Sequence, residues 1–183
     1  MFRYFLLTAL LGSCLLTLSS WAEREQKTNN LIKNPDFEMV DPQDPALPLN
    51  WERWRPSSQT AYLVTGAKSG QRAIKIITSP STGWQVLEQS IPYEPGAKYS
   101  ISFDAKTNGI VGGRLDVIDA TGGTYVVFGT KDFNETDWNK YKLSFTAPKT
   151  SGRIFKVRLY QSDYTKAGGE VFFDNIEMFK IER

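Results

Sequence analysis

Aromatic side chains are what this chain has most to offer a ligand. Phe, Trp and Tyr make up 13% of the residues, more than one core of this size needs, and strand alternation throws several of them outward. Tyr160 is such a ring, and Trp84, Tyr125 and Tyr160 are the candidate platforms. A sugar ring has an apolar face of C–H groups that packs on an aromatic plane, while its hydroxyls hydrogen-bond to charged and amide groups. Arg114, Asp116 and Arg158 stand beside those rings and would supply the polar grip. Trp51 and Trp138 are assigned to packing. Catalysis has less to draw on. The chain has no histidine, which removes Ser-His-Asp and Cys-His nucleophiles and histidine-bearing metal sites. Its single cysteine is Cys14, no glycine-rich phosphate loop precedes a helix, and Gly112-Gly113 and Gly122-Gly123 read as hairpin turns. Two carboxylates could still cleave a glycosidic bond. Asp104, Asp116 and Glu88 are the acids that parity could place on one face, but 20 acidic residues will bring some together by chance. A non-catalytic protein is expected.

Strands must hold these side chains. The clearest is residues 99–106, where Tyr99, Ile101, Phe103 and Ala105 would face a core and Ser100, Ser102, Asp104 and Lys106 the outside. Residues 114–118, 138–145 and 154–160 alternate in the same way, the last with Phe155, Val157 and Leu159 inward and Lys156, Arg158 and Tyr160 outward. Further strands are expected at 61–65, 73–78, 86–91, 124–129 and 170–180, with residues 31–38 as a first edge strand able to tolerate Pro35. No helical period is sustained. Nine or ten short strands between Gly, Pro, Asn, Asp and Ser turns predict an all-β fold, a single β-sandwich of two antiparallel sheets.

Residues 1–22 read as a signal peptide, with Arg3, an apolar run and the small-residue site Ser20-Trp21-Ala22. Export to the periplasm or the extracellular space follows, with lipid anchoring through Cys14 as the lesser alternative. The apolar run is too short for a membrane span. Residues 23–30 form a polar, flexible lead-in, and 31–183 one domain that holds no thiol. Lys plus Arg number 22 against 20 Asp plus Glu, a balance that argues against nucleic acid as a partner.

Asn34-Pro35-Asp36-Phe37-Glu38, Trp51, Ser69-Gly70 before Ala73-Ile74-Lys75, Pro95-Gly96 before residues 99–103, Trp138 before Phe145-Thr146-Ala147-Pro148, and Phe173-Asp174-Asn175 follow one another in a characteristic order. In that order the chain resembles carbohydrate-binding modules of the family 4 and 9 type, over residues 31–179. The resemblance implies a galactose-binding-like jelly roll that binds an oligo- or polysaccharide across a concave sheet face, with Trp84 and Tyr125 where such modules carry stacking aromatics. It also implies a structural calcium ion held by Glu38, Asp174 and the main-chain carbonyl of Lys68, hard oxygen ligands of the kind calcium takes. Such modules usually accompany a glycoside hydrolase, so a separately encoded glycan-active enzyme or a cell-envelope component is the expected partner. An adhesion module that binds protein through the same face is the alternative, and a small polysaccharide-cleaving enzyme a further one.

Overall fold

Alternation of large apolar and polar residues sets the architecture. The computed structural model describes residues 30–54, 60–81, 83–119, 125–149 and 154–181. The proposed leader, Cys14 and the Gly122-Gly123 turn lie outside them. Among the described residues there are ten strands and no helix: β1 (Glu52–Arg53), β2 (Ala61–Thr65), β3 (Arg72–Ile77), β4 (Val86–Pro92), β5 (Lys98–Thr107), β6 (Gly113–Asp119), β7 (Val126–Phe133), β8 (Asn139–Thr146), β9 (Ile154–Gln161) and β10 (Glu170–Ile181). They form two five-stranded antiparallel sheets, ordered β1-β4-β9-β6-β7 and β2-β3-β10-β5-β8. This is the expected jelly-roll sandwich.

The core lies between the sheets. Tyr99, Ile101, Phe103 and Ala105 of β5 point inward and meet Phe155, Val157 and Leu159 of β9 within one cluster. Each fully buried side chain of this size contributes about 1.5–3 kcal/mol through lost apolar exposure. Edge-to-face rings tie the layers together, Phe133 to Phe173 at 5.3 Å and Phe145 to Phe155 at 5.2 Å. Gly113 is required at the start of β6, because a methyl group there would lie 2.1 Å from Cζ of Phe133.

Three expectations need correction. Residues 31–38 form no strand: Asn34 and Phe37 adopt φ of 52° and 58°, a left-handed backbone that breaks strand pairing. The Asn34 side chain stabilises the turn by donating to the carbonyls of Met39 and Leu49 and accepting the N–H of Met39, which sets Phe37 into the core beside Trp51. Trp138 is only half-buried and lies outside the core, with Lys106 Nζ 5.2 Å from its ring. Asp104 faces outward by parity yet is buried, because Lys140 and Asn175 close over it.

Candidate functional site

The outer face of the first sheet carries three cross-strand rows. One runs Val86, Tyr160, Arg114, Asp132; the next Glu88, Arg158, Asp116, Thr130; the third Ser90, Lys156, Ile118. Strand pairing thus sets opposite charges side by side. Arg158 donates two hydrogen bonds to Asp116, at 2.8 and 2.6 Å, and Tyr160 adds a third at 2.7 Å. Arg114 grips Asp132 with a similar fork, its Nη2 at 2.9 Å. Lys156 pairs with Glu88. Bidentate forks of this kind are strong and directional.

These contacts shift the titration of Arg158, Arg114 and Tyr160. Burial works against the Arg158 cation, but hydrogen bonding and charge from Asp116 prevail and raise its pKa. The Asp132 hydrogen bond raises that of Arg114. Burial, with the Asp116 hydrogen bond, pushes the Tyr160 hydroxyl up to about 12, so it remains a neutral donor at ordinary pH.

Aromatic rings rise around this polar floor. Trp54, Trp84 and Tyr125 are 44%, 36% and 56% exposed, and with Val86, Arg114, Arg158 and Tyr160 they line a cleft of about 270 Å³. Trp84 is braced edge-on by Tyr160 at 5.8 Å and Tyr164 at 5.0 Å. Tyr125 belongs to the chain entering β7 yet reaches across β6, so that the Arg158 guanidinium lies 5.5 Å from its ring. Five of the six residues expected at a ligand site, Trp84, Arg114, Tyr125, Arg158 and Tyr160, therefore line one cleft. The sixth, Asp116, is 2% exposed and lies beneath it, holding Arg158 and Tyr160 in place. Sequence reasoning missed Trp54, placed by its N–H bond to the Val86 carbonyl, and Tyr164. It also missed Asp132, whose outward parity in β7 could have been read.

Asp104, Asp116 and Glu88 do not share a face. Asp116 and Glu88 belong to the first sheet and Asp104 to the second, and each is paired with a basic side chain.

Glu38 and Asp174 converge on the loop before β3. Asp174 is wholly buried and accepts the N–H groups of Lys68 and Ser69 at 2.8 and 2.9 Å, and that of Asn175 at 2.8 Å. Glu38 accepts those of Gln71 and Arg72. Lys68 thus turns its amide to Asp174. Burial raises the Asp174 pKa to about 6, against those three N–H groups. Among the described residues no three His, Cys, Asp or Glu side chains gather as a metal site, so calcium would need main-chain oxygens as well. Carboxylate oxygens are the donors a hard cation takes, and Asp174 and Glu38 are the two that meet at this loop.

The architecture is thus a jelly-roll sandwich with an aromatic-walled, polar-floored cleft on one sheet face. Residues 29–162 match the model of the family 4 and 9 type described as Carbohydrate binding domain, and the chain belongs to that family. Solved structures share the fold. A family 61 module in complex with β-1,4-galactotriose aligns at 20% identity and a TM-score of 0.56, covering 83% of this chain and 99% of its own. A family 4 module aligns at 17% and 0.59, covering 82% and 99%. A cyclase from Fischerella sp. TAU, in complex with 4-(1H-indol-3-yl)butan-2-one, aligns at 20% and 0.62, covering 84% and 97%. The search of curated proteins gives no match.

Proposed function

We propose that the cleft on the first sheet binds an oligo- or polysaccharide without cleaving it. The observation that carries this reading is the pairing of exposed rings with a fixed polar floor: Trp54, Trp84 and Tyr125 offer stacking surfaces, while the forked arginines and the Tyr160 network offer oriented polar atoms. Family membership supports the same chemistry. A protein-adhesion surface would present a flat apolar patch, whereas this one is recessed and mixed. Hydrolysis by the Asp116 and Glu88 pair is disfavoured, because each carboxylate is already bound to a basic side chain.

In this proposal Glu38 and Asp174, with main-chain oxygen from the loop before β3, hold a calcium ion that ties that loop to β10. Residues 1–22 direct export to the periplasm or beyond, where the protein meets glycans of the envelope or the substrates of a separate glycan-active enzyme. Among the described residues no helix is long and apolar enough to cross a membrane. Affinity electrophoresis through gels containing soluble plant, algal and bacterial polysaccharides tests the binding claim. Retardation by one neutral class supports it and names the ligand group; migration unchanged by every polysaccharide overturns it.

A further inference from the structure

The two outer faces of the sandwich differ in how completely their cations are paired. In the cleft every lysine and arginine on the strand rows has a carboxylate partner: Arg158 with Asp116, Arg114 with Asp132, Lys156 with Glu88. On the second sheet the inward residues of β5 and β8 are Tyr99, Ile101, Phe103, Tyr141, Leu143 and Phe145. Their alternates therefore face out. Those include Lys98 and Lys106 on β5 and Lys140 and Lys142 on β8, against the single acid Asp104. Asp104 is taken by Lys140 at 3.6 Å and by the Asn175 amide at 2.9 Å. Among the described residues Lys98, Lys106 and Lys142 make no ion pair. On β10 the same face carries Glu177, opposite Ser102, and Glu170, which pairs with Lys75 of β3.

Register turns these lysines into a track. Lys142 lies opposite Ser102, so the unpaired cations fall at the levels of residues 98, 102 and 106 of β5. Successive levels are four residues, or about 14 Å, apart at the usual strand rise. One gap holds hydroxyls, with Ser100 opposite Ser144, and the other holds the Asp104–Lys140 pair, while Thr146 lies opposite Lys98 at the end. At one end Lys106 lies 5.2 Å from the rings of both Trp138 and Phe172, which hold the ammonium in place. Lysine on an edge strand also blocks unwanted strand pairing, which accounts for β8. It does not account for β5, which has β10 and β8 on either side.

Cations spaced along a line do not suit a compact anion such as phosphate, which needs them converging on one point. They suit a polymer with charges at intervals, and the hydroxyls of Ser100, Ser144 and Thr146 at one end suit a polymer that is itself rich in hydroxyls. We propose that the β5–β8 face is a second binding site, for an acidic polysaccharide bearing carboxylates along its chain. This site is independent of the cleft, so the protein can hold two glycans on opposite faces.

Polygalacturonate in affinity gels is the probe, with polyglutamate and single-stranded DNA as polyanion controls. Polygalacturonate should retard wild type and Trp84→Ala equally at low salt, and retardation should vanish near about 0.5 M NaCl through screening. The double variant Lys106→Ala/Lys142→Ala should bind it about tenfold more weakly, with unchanged melting and unchanged retention by any neutral polysaccharide. Absence of retardation, or an affinity untouched in the double variant, overturns the proposal. Equal retardation by polyglutamate reveals plain ion exchange and also overturns it, as does tighter binding of DNA. Loss of polygalacturonate binding in Trp84→Ala would move the acidic glycan into the cleft and likewise overturn the second site.

Discussion

Asp116 should be the residue whose loss costs the groove most. Asp116→Ala removes three hydrogen bonds, two from Arg158 and one from Tyr160. It also leaves a guanidinium whose side chain is 21% exposed without its counter-charge. Breaking a buried pair by deleting one partner costs about 3–5 kcal/mol. Partial access of Arg158 to water places this case near the lower end, and the orphaned Tyr160 hydroxyl adds about 1 kcal/mol. For a domain of this size a loss of about 3–4 kcal/mol lowers Tm by roughly 10 °C. Thermal and urea unfolding followed by circular dichroism would measure it. Replacing the pair together, as Asp116→Leu/Arg158→Met, should restore most of the stability, because no charge is then left unpaired. A shift of about 1 °C or less in Asp116→Ala, or a double variant no more stable than the single one, would refute the reasoning.

Other perturbations probe the frame and the loop clasp. Gly113→Ala should destabilise the fold by about 3 kcal/mol in chemical denaturation, since Phe133 is wedged against Phe103, Tyr141 and Phe173 and cannot yield; wild-type stability would contradict that close approach. Tyr93→Phe should leave stability unchanged or raise it by up to about 1 kcal/mol, because the buried Tyr93 hydroxyl has no hydrogen-bond partner among the described residues while the ring stacks on Phe155 at 4.3 Å; a clear loss would show that the hydroxyl has one. Burial raises the Asp174 pKa from an ordinary 3.8 to about 6, so the folded state binds its proton more tightly than the unfolded state does. Without metal, stability should therefore fall as pH rises from about 4 to about 6, by up to about 3 kcal/mol from this group. The difference between wild type and Asp174→Asn isolates that slope. Calcium at pH 7 should raise Tm in wild type and not in Asp174→Asn, and parallel profiles with no calcium response would contradict the clasp.

Parity made much of the fold legible. The alternation in β5 and β9 told which side chains face the core and which face out, and so placed Arg158 and Tyr160 on the groove side. The same logic placed Arg114 and Asp116. What parity cannot say is which sheet a strand joins, and for that reason Asp104 and Asp116, outward by the same alternation, lie on opposite faces of the sandwich. Nor could it see pairing across strands. The arginines look like free ligands in the sequence, whereas the register gives each a carboxylate first. Trp54 follows a two-residue strand with no period to read, and a backbone bond ties it to β4. Residues 31–38 look strand-like because their composition hides two left-handed residues, whose cost the Asn34 side chain offsets through long-range bonds.

Isothermal titration calorimetry with an oligosaccharide of the retained neutral class, comparing wild type, Trp84→Ala and Trp138→Ala, tests the central claim most directly. Trp84 stands in the cleft and Trp138 beside the opposite face. Binding should be lost in Trp84→Ala, with its melting unchanged, and kept in Trp138→Ala. Undiminished binding by Trp84→Ala would show that the cleft on the first sheet is not where the glycan binds.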